Sequence, residues 1–372
     1  MNALEKSIIE KIKTEGPVTF EKFMEMALYE PEHGYYATEK VRIGREGDFY
    51  TGSHLHPAFA SVIGRQIGEM WEFMGRPDDF KIVEMAPGAG YMCKDMLSSL
   101  KGEQFFSSLR YCLVELNSGM RDRQRDLLSE FSAMVDWYSS LKEMGSVRGC
   151  IFSNELLDAF PVHLVLREDE LKEIYVSTDG SHLVEIKGVV STPDIIGYFK
   201  DFSVELEKGY QTEVNLKIRD WLNTVNAALE EGFVLTIDYG YTARDYYSED
   251  RNRGTLLCYH RHQINEDPLQ NVGEQDITAH VNFSSVKKWG DRIGLKTLGF
   301  CGQGPFLVSV GIEEEIQKLA AGPDDYLSGL ARIKRLIMPQ GMGESHMVMV
   351  QYKGTGHPRL RGFSIRNQLR YL

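Results

Sequence analysis

Apolar residues recur at helical spacing over residues 2–14 and again over 19–29. This predicts two amphipathic helices, with Thr19 placed to cap the second just after Pro17. Residues 31–57, PEHGYYATEKVRIGREGDFYTGSHLHP, break that period with glycine, tyrosine and charge. They predict a long loop or hairpin, and connections of that size usually carry function. Helical spacing resumes at about 57–74. From residue 81 the pattern changes to short apolar runs divided by helical stretches. KIVEM (81–85), YCLVEL (111–116), AMVDWY (133–138) and CIFSNE (150–155) predict strands, with helices at 91–100 and 117–131 between them. Residues 162–190 predict three antiparallel strands, with a turn at Asp179-Gly180. Residues 194–230 return to helical spacing. FVLTIDYG (233–240), PFLVSVG (305–311) and HMVMVQY (346–352) predict later strands.

Strands alternating with helices imply βαβ units, hence an α/β chain with a mostly parallel sheet. The expected organisation has N-terminal helices and a covering loop at 1–75. A main domain follows at 76–352, with an antiparallel β insertion at about 162–230. A C-terminal tail at 353–372 carries Lys353, Arg359, Arg361, Arg366 and Arg370 and no acid. Such a tail reads more often as a mobile terminus than as a contact for an acidic partner or nucleic acid.

Composition narrows this picture little. The 372 residues are 42% hydrophobic and 26% charged, ordinary values for a chain with a sizeable core. The net charge of -12 argues against broad nucleic-acid binding, which needs a positive surface. No stretch is long and apolar enough to span a bilayer. Glu5, Glu10 and Glu15 count against an organellar presequence, so a cytoplasmic location is expected. Five scattered cysteines without a CxxC pair suit a reducing compartment and offer no zinc framework.

The candidate chemistry begins where the first strand of the alternation ends, at Glu84-Met85-Ala86-Pro87-Gly88-Ala89-Gly90. Gly88 and Gly90 let a ligand approach the backbone, and the next helix offers free N–H groups at its start. The second strand ends in Glu115, whose carboxylate can accept from both hydroxyls of an adenosine ribose. A dinucleotide site wants GxGxxG, and the third glycine is absent here. Glu84 would repel a pyrophosphate but can pair with the amino group of a methionine moiety. Both features favour S-adenosylmethionine, although a plain tight turn produces a similar GxG.

The fourth strand runs into Ser153-Asn154-Glu155-Leu156-Leu157-Asp158. Ligands of open parallel sheets sit at the carboxyl ends of strands, so Asn154, Glu155 and Asp158 should face the site. Two carboxylates can hold the planar fork of a guanidinium, which makes Glu155 and Asp158 candidate catalytic residues. The competing reading is that either caps the next helix.

With these residues assembled, the chain resembles the MidA family of class I S-adenosylmethionine-dependent methyltransferases over about residues 15–350. Thr19–Met24 through Tyr29–Tyr36 and Gly47–Thr51 carry the resemblance, as does the glycine loop. So do Asn154-Glu155 with Asp158-Ala159 and Pro161, Ile237–Tyr241 and Gly273–Phe283. The resemblance implies a Rossmann-like fold with a helical cover and an antiparallel insertion. It implies S-adenosylmethionine as cofactor, held by Asp48, Phe49, Thr51, Glu84, Ala86, Gly88, Gly90, Glu115 and Asn154. Because the family's mitochondrial members methylate arginine on a complex I subunit, it implies a protein substrate with a target arginine. The family usually has glycine at Ala86 and aspartate at Asn282, and the basic tail extends past its usual end.

His280 is expected to be the most functional of the histidines, ahead of His54, His56, His260 and His262, and no metal is expected. Tyr239 is expected either at the substrate channel or packed at a strand end. The alternatives to a protein methyltransferase are a cofactor-binding assembly factor with little catalysis, and a methyltransferase for a small molecule.

Overall fold

The computed structural model describes residues 1–37, 56–261, 263–322 and 325–372. Asp48, Phe49, Thr51, His54 and His262, and most of the 31–57 loop, lie outside the described residues.

The chain divides into two compact units, each assembled from separated segments. One comprises Tyr50–Leu156, Trp221–Gly240 and Val286–Leu372. Its sheet is built from β1 (Phe80–Met85), β2 (Leu109–Val114), β3 (Val135–Tyr138), β4 (Val147–Asn154), β5 (Leu229–Tyr241), β6 (Lys296–Gly302) and β7 (His346–Lys353). The order across the sheet is β6-β7-β5-β4-β1-β2-β3. β1 to β5 pair in parallel, and β7 is antiparallel to both its neighbours, β5 and β6. The buried runs Ile82-Val83, Ile151-Phe152 and Val234-Leu235 give these strands two covered faces, as a parallel sheet requires. On one face the helices Ala58–Phe73 and Tyr91–Leu100 bury Val62, Ile63, Ile67, Met92, Met96 and Leu97 against the sheet residues Phe80, Ile82, Tyr111 and Phe152.

The register brings the carboxyl ends of the parallel strands to one edge. Met85 lies opposite Val114 and Ser153, Asn154 opposite Ile237, and Tyr239 opposite His346. Thus the residues that follow β1, β2 and β4, the end of β5 and the start of β7 share that edge.

Two expectations are corrected in this unit. PFLVSVG is not a strand but most of the helix Gln303–Val310. Pro305 falls in its first turn, where a missing N–H is tolerated. Gly311 ends it in the left-handed region at φ +99°. Its apolar run marks burial, with Phe306, Leu307 and Val310 in the core. The C-terminal segment is folded rather than loose. Phe363 packs on Phe306 with ring centroids 5.6 Å apart, and the Gly362 N–H donates to Gln66 Oε1 at 2.9 Å.

The other unit comprises Met1–Phe49, Leu157–Asp220 and Tyr241–Ser285. The helices Ala3–Glu15 and Phe20–Tyr29 form as expected. Asn2 caps the first, and Thr19 caps the second by accepting from the Lys22 N–H at 3.1 Å. Leu4, Ile8, Ile9 and Ile12 make one apolar stripe, buried with Phe20, Phe23 and Met24 against Leu164, Ile174 and Val176. The last three belong to an antiparallel sheet of Val18–Thr19, His163–Arg167, Leu171–Thr178, Leu183–Gly188 and Gln211–Val214. The expected helical stretch 194–230 is interrupted by that last strand, with helices Pro193–Asp201 and Lys217–Ala228 on either side. A smaller sheet orders Gln263–Asn265, Leu257–His260 and Asp276–Thr278.

Candidate cofactor and transfer site

The loop after β1 is held in left-handed backbone. Ala86 has φ +50°, Gly88 +54° and Gly90 +87°. The Ala86 N–H still donates to the Val114 carbonyl at 3.0 Å, extending the β1–β2 ladder, and Gly90 starts the helix Tyr91–Leu100. Gly90 has a second constraint, because a Cβ there would stand 3.3 Å from Gln124 Cγ.

Gln124, on the helix Ser118–Leu127, is fully buried and was missed in the sequence. Its Nε2 donates to the Gly88 carbonyl at 2.6 Å and reaches Glu115 Oε2 at 3.5 Å, and its Oε1 accepts from Trp137 Nε1 at 3.1 Å. One amide therefore ties the glycine loop to the end of β2 and to β3. Glu115 Oε1 accepts from the Asn117 N–H at 2.8 Å. Burial pushes the Glu115 carboxyl above its usual range, against the lowering effect of Asn117 and Gln124.

Glu84 is buried within β1, and Tyr111 donates to its Oε2 at 2.7 Å. Burial pushes its carboxyl up to about 8, and the Tyr111 hydrogen bond acts in the opposite direction. A carboxyl so shielded gains from a cationic partner, since an ammonium nearby favours its charged form.

Beyond β4, Asn154 donates from Nδ2 to Glu155 Oε1 at 3.3 Å. Its Oδ1 is buried and has no hydrogen-bond partner among the described residues. Glu155 has φ +53°, a left-handed conformation that a side chain disfavours. Three bonds hold it there. Its N–H donates to the Ile237 carbonyl at 2.9 Å, and fully buried Asp238 accepts from the N–H groups of Leu156 at 3.1 Å and Tyr239 at 2.9 Å. Strain held this firmly is characteristic of functional sites. His346, also missed in the sequence, places Nε2 3.6 Å from Glu155 Oε1. Its ring lies on Tyr239 with centroids 4.0 Å apart. Tyr239 and His346 line a cleft of about 440 Å³ together with Lys334, Arg335, Met342 and Ser345.

Asp158 and His280 belong to the other unit. Asp158 is buried in the short turn Leu157–Ala159, where its carbonyl accepts from the Ala279 N–H at 2.9 Å. Tyr29 donates to the Ala159 carbonyl at 2.8 Å and stacks on Tyr36, which donates to Asp276 at 2.7 Å. Burial raises both phenols, and the charges of Asp276 and Asp158 add to it. His280 donates its N–H to Thr255 Oγ1 at 3.0 Å and sets its ring 5.2 Å from that of Tyr241. Among the described residues, no group of three or more His, Cys, Asp or Glu is placed to hold a metal ion.

The residues at the sheet edge of the first unit suit an adenosyl amino acid. They combine a left-handed glycine loop, a carboxylate ending the next strand, a buried carboxyl on the strand that leads into the loop and a buried amide oxygen with no partner among the described residues. A family profile described as S-adenosyl-L-methionine-dependent methyltransferase matches residues 62–301. A crystal structure from Burkholderia thailandensis bound to S-adenosyl-homocysteine superimposes with a TM-score of 0.92, at 30% identity, covering 100% of this chain and 96% of that one. The Drosophila melanogaster relative, named protein arginine methyltransferase NDUFAF7 homolog, mitochondrial, is 25% identical over 95% of this chain and 85% of its own length. The Danio rerio protein arginine methyltransferase NDUFAF7, mitochondrial, is 26% identical over 91% of this chain and 84% of its own. The chain therefore belongs to the MidA family expected from its motifs, the S-adenosyl-L-methionine-dependent methyltransferases, with S-adenosylmethionine as its methyl donor.

Proposed function

We propose that this methyltransferase acts on an arginine side chain of a polypeptide, and that Glu155 holds the guanidinium during transfer. The carrying observation is Glu155 itself: a carboxylate at the carboxyl end of β4, fixed in left-handed backbone by Asp238. The arginine methyltransferase names of the relatives support the same acceptor.

The transfer step asks mainly for alignment. S-adenosylmethionine supplies a methyl group on a sulfonium, and the protein aligns the nucleophile and keeps water out. Glu84 is suited to the amino group of the donor, Glu115 to its ribose and the Gly88–Gly90 backbone to its close approach. A guanidinium is cationic in water and delocalised. A carboxylate bound to one side of its fork localises positive charge there and leaves the opposite nitrogen richer in electrons. Asp158 is the second candidate carboxylate, and Asp48, Phe49 and Thr51 remain candidates to cover the donor.

Calorimetry with S-adenosylmethionine tests the donor, and no heat at millimolar donor would contradict this site. Methyl-labelled donor, incubated with lysate from a strain lacking this protein, tests the acceptor. The expected result is a labelled band whose mass spectrum places the methyl on arginine, and whose label falls at least about 100-fold with Glu155→Gln. Label on another residue type sinks the arginine assignment. Tight donor binding with no label in any fraction would instead favour an assembly factor.

A further inference from the structure

We propose that His346 is a positioning residue for Glu155: its imidazole steadies the Glu155 carboxylate and carries away the proton that methylation releases. This rests on the reading of Glu155 as the group that holds the methyl acceptor.

The geometry is confined to one unit. His346 opens β7, directly opposite Tyr239 on β5. Its ring is 1% exposed and lies at 48° to the Tyr239 ring, which fixes its plane. Nδ1 stands 3.0 Å from Ser345 Oγ, so one nitrogen has a partner. The other, Nε2, has no hydrogen-bond partner among the described residues. It points to Glu155 Oε1 at 3.6 Å, and the Glu155 side chain is itself only 6% exposed. That gap is about 0.7 Å beyond an ordinary N–H···O distance. A buried ring nitrogen with nothing to bond is costly. With its proton on Nδ1, shared with Ser345 Oγ, the ring turns a bare Nε2 toward Glu155, and once protonated that nitrogen becomes the carboxylate's donor.

The charged and titratable groups that face the ring, among the described residues, come from three elements. From β5 come Tyr239 and Asp238, and the two Asp238 oxygens already accept from Leu156 and Tyr239. From the end of β4 come Glu155 and the Asn154 amide, which also reaches Glu155 Oε1. Ser345 precedes the ring on its own strand. Lys334 and Arg335, in the last turn of the helix Tyr326–Ile337, line the cleft that His346 shares. Both are exposed, so the cleft connects the imidazole with solvent while its cations discourage protons from accumulating there.

The proton must go somewhere. A guanidinium carries one positive charge before and after methylation. The acceptor nitrogen forms its bond to carbon as the carbon–sulfur bond breaks, and the sulfur keeps that electron pair. The nitrogen then sheds one proton, which passes to Glu155 and from Glu155 to the unprotonated His346 Nε2; the imidazolium so formed returns one proton to water in the cleft that His346 and Ser345 line. Loss of the histidine removes this route out of the site.

The test uses the full chain with methyl-labelled S-adenosylmethionine and lysate protein from a strain lacking it. His346→Phe keeps the ring on Tyr239, and His346→Gln keeps a donor, but neither can carry a proton. Both are expected to bind the donor within about twofold of wild type by calorimetry, and to lose about 100-fold in initial rate, the usual worth of a placed acid–base group. Added imidazole should restore part of the rate of His346→Ala. A wild-type rate in His346→Phe overturns the proposal. A second measurement does not depend on turnover: in protein labelled with ¹⁵N-histidine, Glu155→Gln should move the His346 Nε2 resonance, and an unmoved resonance overturns the pairing. A wild-type protein that labels nothing while the resonance still follows Glu155 sinks the proposed acceptor and upholds the pair.

Discussion

Ala86 carries a methyl group in backbone that favours glycine, at φ +50°. The left-handed region costs a side chain about 1–2 kcal/mol, and glycine's extra freedom in the unfolded chain returns part of that. Ala86→Gly is therefore expected to raise stability by about 0.5–1 kcal/mol, read as a higher urea midpoint at unchanged slope. An unchanged or lower midpoint would show that the loop is not strained there. Glu84 makes a different prediction. Its carboxyl is raised from 4.5 to about 8 by burial, so the folded state holds a proton that the unfolded state has released. Stability from this group is complete below about pH 4.5 and falls as pH rises toward 8, at no more than about 1.4 kcal/mol per pH unit. The stability of Glu84→Gln relative to wild type should accordingly grow across that window and level off above it. Chemical denaturation at a series of pH values decides this, and a flat difference contradicts the raised carboxyl. Glu84, Glu115 and Glu155 were legible because each follows an apolar run that fixes its place on a strand end. His346 was not, since its partner lies 191 positions earlier in the chain, and only the antiparallel entry of β7 brings them together.

At the scale of elements, the helix Ser118–Leu127 works through a single residue facing inward. Most of its side chains are polar, and Gln124 looks in sequence like one more solvated position. What distinguishes it is the convergence of Gly88, Glu115 and Trp137 on one amide, and no local pattern encodes that. Gln124→Ala should unfasten the glycine loop and weaken donor binding about tenfold, equivalent to about 1.4 kcal/mol, measured by calorimetry. Binding unchanged within twofold would mean that the helix start alone holds the loop. The helix Gln303–Val310 shows the opposite limit of sequence reading. Its apolar run continues through Val308, which is 43% exposed, so the run has no period by which to separate helix from strand. Pro305 and Gly311 were the available signs, one at each end of the helix.

At the scale of the molecule, the alternation of strands gave the parallel sheet readily, whereas the interleaving of the two units left no mark on the sequence pattern. The C-terminal segment is a case in point: its basic composition implied mobility, yet it supplies Leu360 and Phe363 to the core. Phe363 is 8% exposed. Phe363→Ala is expected to cost about 3 kcal/mol, scored as a loss of thermal or urea stability. A loss below about 0.5 kcal/mol would show the segment to be dispensable.

The position of β7 has a consequence for how the chain is made. It is the last of the sheet's strands to leave the ribosome, and it belongs between β5 and β6 rather than at a border. Until residues 346–353 emerge, those two neighbours each present a bare row of backbone donors and acceptors, the arrangement that invites pairing with foreign strands. Synthesis thus completes the sheet by filling a waiting slot, and the same late strand delivers His346 to the reacting edge. A chain interrupted before this point lacks the imidazole and is left sticky, so assembly of the sheet and competence for chemistry arrive in one event.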